Sequence, residues 1–124
     1  MEAFLVIAHP ELFEAGCTTL QNIAANPGEV KEDETAMAIL QHWATPFSAY
    51  MLSSNCASPF HQDNYSWPQW YEMLTTIGPY EGGHLAFLNM GVEFQYDSRT
   101  MVAFGGKLIR HCVSACVGNQ ICIA

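Results

Sequence analysis

Turn-forming residues interrupt residues 47–124 so often that no long helix fits in this part of the chain. Short runs rich in β-branched and aromatic residues alternate there with breaks such as Gly78-Pro79, Asp97-Ser98 and Gly105-Gly106. This sequence pattern is typical of a sheet-rich domain, and the close spacing of the runs favours a jelly roll or small barrel. The pattern predicts eight strands, over residues 47–54, 58–63, 69–77, 84–88, 92–96, 100–104, 107–113 and 119–123.

The residues before this region have a helical pattern. Pro10 suits the first position of a helix, and apolar residues recur at helical spacing until Asn26-Pro27-Gly28. We therefore predict a helix over about 10–25, then an acidic connection over 29–34 and a second, shorter helix that ends at Thr45-Pro46. The apolar residues 1–8 are compatible with a strand or with a lead-in to the first helix. The predicted fold class is α+β, mostly β with N-terminal helices.

The length of 124 residues allows one hydrophobic core and is too short to divide into two. We predict a single domain over 1–124, with a helical lead-in at about 10–43. Because the last predicted strand runs almost to the final residue, we expect a domain truncated at both ends. If the final strand is unpaired, its free edge could pair with a second copy of the chain and form a homodimer. A monomeric mass in solution at high protein concentration would count against this expectation.

Charge and cysteine content narrow the classes of function. Twelve acidic residues against four basic ones give a net charge of −8, which disfavours a nucleic-acid partner because such binding depends on cations. The five cysteines are odd in number and form no CxxC pair, which favours reduced thiols in an intracellular protein. The apolar run over residues 3–8 is too short to span a membrane, so we predict no membrane partner.

Three residues in two predicted strands form a candidate metal site. His61 and Asp63 are two residues apart, so their side chains project to the same face of an extended segment. His111 lies in another β-prone run, in which strand alternation would place Lys107 on the same side. Two imidazoles and one carboxylate hold Fe(II) on one face of an octahedron and leave the opposite face open. Each residue alone is more often a hydrogen-bonded structural residue, whereas the combination predicts iron binding.

Other catalytic arrangements have weaker support in the sequence. Cys56 precedes His61, but no orienting group or nucleophile signature accompanies it. The carboxylates of Glu72, Glu81 and Glu93 are scattered, and nothing marks them as an acid and base pair. The chain has no GxSxG, GxGxxG or phosphate-loop motif.

Several stretches of the chain resemble one family. The segments His61-Gln62-Asp63, WYEMLTTIGPY at 70–80, GGKLIRH at 105–111 and GNQICIA at 118–124 are similar to the TET-like Fe(II)/2-oxoglutarate-dependent dioxygenase domains of basidiomycete, mushroom-forming fungi. Residues 7–10 and 43–55 resemble the helical lead-in of those domains, so the resemblance covers nearly the whole chain. It implies a double-stranded β-helix of the jelly-roll or cupin-like type, with His61, Asp63 and His111 as the iron ligands.

The resemblance also implies a reaction and a cosubstrate. Such domains use Fe(II), 2-oxoglutarate and oxygen to oxidise a C–H bond, and characterised relatives act on 5-methylcytosine in nucleic acid. They usually carry an arginine about nine residues after the last ligand histidine, where this chain has Gln120. A neutral amide cannot form the charge-assisted, bidentate pair of a guanidinium with the distal carboxylate. Lys107 is the candidate replacement cation, and Asn55-Cys56 is a further departure from the usual Asn-Arg.

Aromatic residues follow the predicted metal ligands. Tyr65 and Trp67 are candidates for the rim of a substrate pocket, where they would stack an extruded base, whereas most of the other aromatics are expected in the core. Three functions remain open: an iron and 2-oxoglutarate-dependent dioxygenase, a degenerate non-catalytic metal-binding or structural member of the same fold, and a cupin-like metalloprotein that does not use 2-oxoglutarate. The dioxygenase is the first hypothesis, and the two missing arginines, the truncated end and the acidic charge are the features that favour the second.

Overall fold

Helices occupy the first part of the chain and strands the second, as the change of pattern near residue 47 predicts. The computed structural model describes residues 2–26, 34–43 and 45–124. The chain divides into two compact units, Met1–Ala49 and Tyr50–Ala124. All of the described helices longer than one turn lie in the first unit, and all of the described strands lie in the second.

The first unit contains three helices, α1 (Glu2–Ala8), α2 (Pro10–Ala25) and α3 (Glu34–Gln41). The prediction of a helix over 10–25 is confirmed, with Pro10 in its first turn and the His9 ring accepting a hydrogen bond from the Leu12 amide. Residues 2–8 are helical and do not form a strand. The predicted acidic connection lies mostly outside the described residues. No described helix has the length and apolar character needed to cross a membrane.

Ten strands form the second unit, and each of the eight predicted runs contains one of them. They are β1 (Leu52–Ser54), β2 (Ser58–His61), β3 (Glu72–Ile77), β4 (Tyr80–Glu81), β5 (His84–Phe87), β6 (Val92–Gln95), β7 (Met101–Phe104), β8 (His111–Val113), β9 (Val117–Gly118) and β10 (Ile121–Ile123). The two-residue strands β4 and β9 pair with each other. Sequence reasoning missed both because glycines and prolines surround them.

All eight of these strands are shorter than the runs predicted for them, and in the run 107–113 this changes the position of a candidate residue. Only residues 111–113 of the predicted run 107–113 form a strand. The amides of Leu108 and Ile109 both donate to the Gly105 carbonyl at 2.9 Å, so residues 105–109 form a turn. The strand alternation that placed Lys107 on the same side as His111 is therefore wrong.

The strands form two four-stranded sheets and one two-stranded ribbon. The first sheet has the order β1-β10-β3-β7 and the second the order β2-β8-β5-β6, with antiparallel pairing throughout. Strand β10 pairs with β1 on one side and with β3 on the other. The expected unpaired final strand is therefore wrong, because this strand is internal to its sheet. The homodimer stays a prediction without that edge to support it.

Both sheets contribute to one hydrophobic core. Leu74 and Phe104 of the first sheet pack in the same cluster as Leu85, Phe87 and Val113 of the second. Leu85 is fully buried. Burial of this apolar surface stabilises the pairing register, because a shift of one residue would turn every side chain of a strand to the opposite face. The core thus holds β8, the strand that carries His111, in register with β5.

Candidate metal centre

The pairing of β2 with β8 brings the two candidate histidines together. His61 and His111 are direct partners in this antiparallel pair, and their ring centroids are 4.3 Å apart. On the other side of β8, His111 pairs with Phe87 of β5. Only 3% of the His111 surface is exposed. An internal strand of the sheet therefore holds this imidazole in a fixed position.

Each histidine is oriented by a carbonyl two residues before it. The Nδ1 atom of His61 lies 2.8 Å from the Pro59 carbonyl oxygen, and that of His111 lies 3.0 Å from the Ile109 carbonyl oxygen. A carbonyl oxygen can only accept, so each Nδ1 carries the proton and donates. In a neutral imidazole the Nε2 atom then keeps its lone pair and is the nitrogen that can bind a metal.

The Asp63 carboxylate lies between these two nitrogens. Its Oδ1 atom is 3.7 Å from Nε2 of His61, and its Oδ2 atom is 3.5 Å from Nε2 of His111. Adjacent ligands of an octahedral ion with bonds of about 2.1 Å are about 3 Å apart, so a small movement would bring all three onto one ion. The three potential ligand atoms all lie within 4.8 Å of one another. His61, Asp63 and His111 could therefore bind a metal ion.

A second carboxylate lies beside Asp63 and was missed in the sequence. Glu72, at the start of β3, accepts a hydrogen bond from the Ser66 hydroxyl and contacts the Asp63 side chain. Burial, followed by the hydrogen bond with Asp63, raises the pKa of Glu72 to about 7. The only signal in the sequence was an acidic residue at the start of a β-prone run, which does not distinguish Glu72 from other scattered carboxylates.

Gly106 provides the space for both carboxylates. The Asp63 amide donates to the Gly106 carbonyl at 3.0 Å, which ties the ligand segment to the turn before β8. A Cβ atom at position 106 would overlap with the Glu72 carboxylate and with Oδ2 of Asp63. Any larger residue at position 106 would therefore require the Glu72 and Asp63 carboxylates to move.

The whole chain, residues 1–124, matches the family model Tet_JBP, described as the oxygenase domain of the 2OGFeDO superfamily. The chain belongs to this family. Comparison of this Tet_JBP domain with curated proteins found no match. Membership of a superfamily of 2-oxoglutarate and Fe(II)-dependent dioxygenases implies Fe(II) and 2-oxoglutarate as cofactor and cosubstrate.

The donor set of this Tet_JBP domain fits Fe(II). Two imidazole nitrogens and a carboxylate oxygen are the ligands of non-haem Fe(II) oxygenase sites, and three ligands on one side leave positions open for small molecules. A cavity of about 120 Å³ adjoins these residues. Its wall consists of Met51, Cys56, Ser58, His61, Asp63, Glu72, Leu74, His111, Val113, Cys122 and Ala124.

The same wall does not fit the distal carboxylate of 2-oxoglutarate. Among the residues that the structure describes, no lysine or arginine lines the cavity. Gln120 is fully buried, and its side-chain nitrogen and oxygen have no hydrogen-bond partner among the described residues. The residues of the last strand segment that do line the cavity are Cys122 and Ala124.

The remaining predicted site residues lie outside this wall. The Lys107 ammonium donates to the Asn64 carbonyl oxygen at 2.6 Å, on an exposed part of the surface. Tyr65 is fully exposed and Trp67 is 60% exposed, and both belong to the loop that follows Asp63. The structure thus brings together His61, Asp63 and His111, whereas the roles of the other four residues stay predictions.

The steric role of Gly106 can be tested by adding a single methyl group. We expect Gly106→Ala to displace the Asp63 carboxylate and to weaken Co(II) or Fe(II) binding by about 10–100-fold, the loss typical of disturbed support around metal ligands. Isothermal titration calorimetry under anaerobic conditions measures this affinity.

Gly105→Ala is the matched control. A Cβ atom at position 105 would meet its nearest atoms, the carbonyl oxygens of Pro68 and Trp70, at 3.8 and 3.9 Å, which is ordinary contact. This variant should therefore bind metal like the unmodified protein. Equal affinities of the two variants would contradict the proposed role of Gly106.

Proposed function

We propose that this chain is an iron(II)-dependent oxygenase that uses a 2-oxo acid and oxygen to oxidise a C–H bond of its substrate. The observation that carries the proposal is the arrangement of His61 and His111 with Asp63. Both imidazoles present Nε2 toward the same carboxylate, and both have Nδ1 held by a backbone carbonyl. Membership of the Tet_JBP family supports the same reaction class.

The protein residues would orient and shield the reacting groups. Fe(II), when bound, would activate oxygen, and the 2-oxo acid would provide electrons through its decarboxylation. The burial of His111 and the antiparallel pairing of β2 with β8 position the two imidazoles beside each other. Leu74 and Val113 form apolar parts of the cavity wall beside the ligands and would exclude water from it.

We also propose that the second unit is a double-stranded β-helix. When the two-residue strands are set aside and the other eight are renumbered in chain order, the sheets have the orders 1-8-3-6 and 2-7-4-5. Successive strands then alternate between the sheets except at the hairpin of the fourth and fifth strands, and such alternation is what a double-sheet jelly roll requires. An experimental structure in which Leu52–Ser54 did not pair with Ile121–Ile123 would contradict this proposal.

The substrate side of the proposal rests on the loop after Asp63. Trp67 and Trp70 have ring centroids 6.3 Å apart, and Tyr65 and Trp67 expose most of their surface to solvent. Exposed aromatic rings next to a metal centre suit stacking of an unpaired base. The similarity to fungal TET-like domains points to 5-methylcytosine in nucleic acid, although the net charge of −8 disfavours binding of a polyanion.

Replacement of Trp67 tests this substrate class. If Trp67 stacks a base, Trp67→Ala should weaken binding of a single-stranded oligonucleotide with 5-methylcytosine by about tenfold, within the range typical of base stacking. Trp67→Phe keeps an aromatic ring and should lose less affinity. Fluorescence anisotropy at one fixed salt concentration measures both. Unchanged binding by Trp67→Ala, or no binding by the unmodified protein, would count against a nucleic-acid substrate.

Removal of the metal ligands tests the proposed iron site. His61→Ala and Asp63→Ala should each lower the affinity for Fe(II) by at least about 100-fold, because a lost ligand costs more than a disturbed support. Anaerobic calorimetry gives the affinity. With Fe(II) bound, a 2-oxo acid in millimolar excess should then produce the weak visible charge-transfer band of its iron chelate.

His84→Ala is the control, because the His84 ring belongs to β5 and lies 3.9 Å from Glu93, outside the cavity wall. This variant should keep its metal affinity. If the His61→Ala protein bound Fe(II) as tightly as the unmodified protein, the proposed metal site would be wrong.

A second candidate function is a metal-binding module without oxygenase activity. It is favoured by the cavity wall, in which no described residue carries a positive charge. Tight metal binding without a charge-transfer band for any 2-oxo acid would support this candidate, or a cupin-like metalloprotein that uses no 2-oxo acid.

A further inference from the structure

We propose that the cavity beside the metal centre accepts a 2-oxo acid with an uncharged tail in preference to 2-oxoglutarate. This choice of cosubstrate rests on the proposed function, because the 2-oxo acid group must chelate the iron. It concerns the opposite end of the cavity, where the tail of the cosubstrate would lie.

The two ends of the cavity differ in chemistry. One end holds the metal ligands and Glu72, which together provide two carboxylates. The rest of the wall is apolar or weakly polar. It consists of Met51, Leu74, Val113, Ala124, Ser58 and the thiols of Cys56 and Cys122. The Ser58 hydroxyl already accepts a hydrogen bond from the Val113 amide at 3.1 Å. A carboxylate at this end would therefore meet little that could stabilise it.

The basic residues of the second unit all lie elsewhere. Lys107 donates to the Asn64 carbonyl, and the side chains of Arg99 and Arg110 are exposed to solvent. None of these three lines the cavity. Lys31, in the first unit, is outside the described residues. Within the described part of the chain, no cation is therefore available to the tail of a cosubstrate in this cavity.

The thiols of the wall do not introduce charge. Cys122 is 2% exposed, and burial, together with the nearby Cys56 thiol, raises the pKa of Cys122. It is therefore a neutral thiol at neutral pH and behaves as a small apolar group. Behind this wall, Gln120 also offers only a neutral amide.

The balance of solvation then favours a neutral tail. An ionised carboxylate loses its hydration in a small cavity and regains it only through a counter-charge or several hydrogen bonds. An apolar tail gains free energy from the same burial, in proportion to the surface that it removes from water. The metal end binds the 2-oxo acid group in both cases, so the tail decides which cosubstrate binds more tightly.

A comparison of two cosubstrates of the same shape tests this preference. In 5-methyl-2-oxohexanoate an isopropyl group replaces the distal carboxylate of 2-oxoglutarate, and the heavy-atom skeleton is unchanged. Each acid is titrated anaerobically into the Fe(II)-loaded protein, and the visible charge-transfer band of the chelate gives its Kd. We expect the Kd of 5-methyl-2-oxohexanoate to be at least tenfold lower than that of 2-oxoglutarate. Equal binding, or tighter binding of 2-oxoglutarate, would overturn the proposal.

Variants of Cys56 supply a matched control within the chain. Cys56 is a half-buried wall residue, so Cys56→Arg introduces a guanidinium at the cavity, whereas Cys56→Leu adds bulk without charge. Cys56→Arg should lower the Kd of 2-oxoglutarate by about tenfold or more and should not tighten binding of the isopropyl analogue. The same gain in Cys56→Leu would show that charge is not responsible and would overturn the proposal.

Loss of the oxygenase function and loss of the cosubstrate preference would give different experimental results. If Fe(II) binds but neither acid gives a band, the proposed oxygenase function fails and the cosubstrate preference fails with it. If 2-oxoglutarate gives the band at the lower concentration, only the preference fails. If Cys56→Arg does not fold, the comparison of the two acids in the unmodified protein still decides.

Discussion

The pairing of β2 with β8 is the contact on which the metal centre depends. It places two imidazoles directly opposite each other on neighbouring antiparallel strands, with their ring centroids 4.3 Å apart. A shift of one residue in this register would turn one of the rings to the other face of the sheet. The hydrophobic core holds β8 in register with β5, because Val113 of β8 and Phe87 of β5 are buried in the same cluster. Strand β8 therefore contributes both to the core and to the metal centre.

Local patterns in the sequence were sufficient for most of the fold. The turn-forming residues separate eight runs that each contain a strand, and Pro10 marks the start of a confirmed helix. The ligand triad was predicted from residue types, from the two-residue spacing of His61 and Asp63, and from the resemblance to a known family. Strand β2 ends at His61, so Asp63 lies just after the strand and not inside it.

The errors concern one local turn and one contact between separate segments of the chain. Lys107 was assigned to a strand because its neighbours are β-prone, but the amides of Leu108 and Ile109 close a turn onto Gly105. Glu72 was not recognised because its approach to Asp63 depends on the position of β3 relative to the turn at Gly106. The turn has a local signal, Gly105-Gly106, which the β-prone residues after it outweighed, whereas no local pattern encodes the contact of Glu72 with Asp63. The family match covers both segments but likewise does not specify their packing.

The two halves of the site differ in how complete they are. The metal half has three potential ligands and two carbonyls that fix the protonated nitrogen of each histidine. The other half of the cavity lacks a positive charge among the described residues. Metal binding and cosubstrate choice are therefore separate properties of this chain. A family member can keep the first while it changes the second, because different residues determine them.

The most direct test of the metal centre is proton NMR of the Co(II)-loaded protein in water. Paramagnetic Co(II) shifts the signals of its ligands, and coordination through Nε2 leaves an exchangeable proton on each Nδ1. We predict two strongly shifted N–H signals that disappear in D₂O, of which His61→Ala retains one. A spectrum without exchangeable shifted signals would contradict the account, because His61 and His111 would then not bind the metal through Nε2.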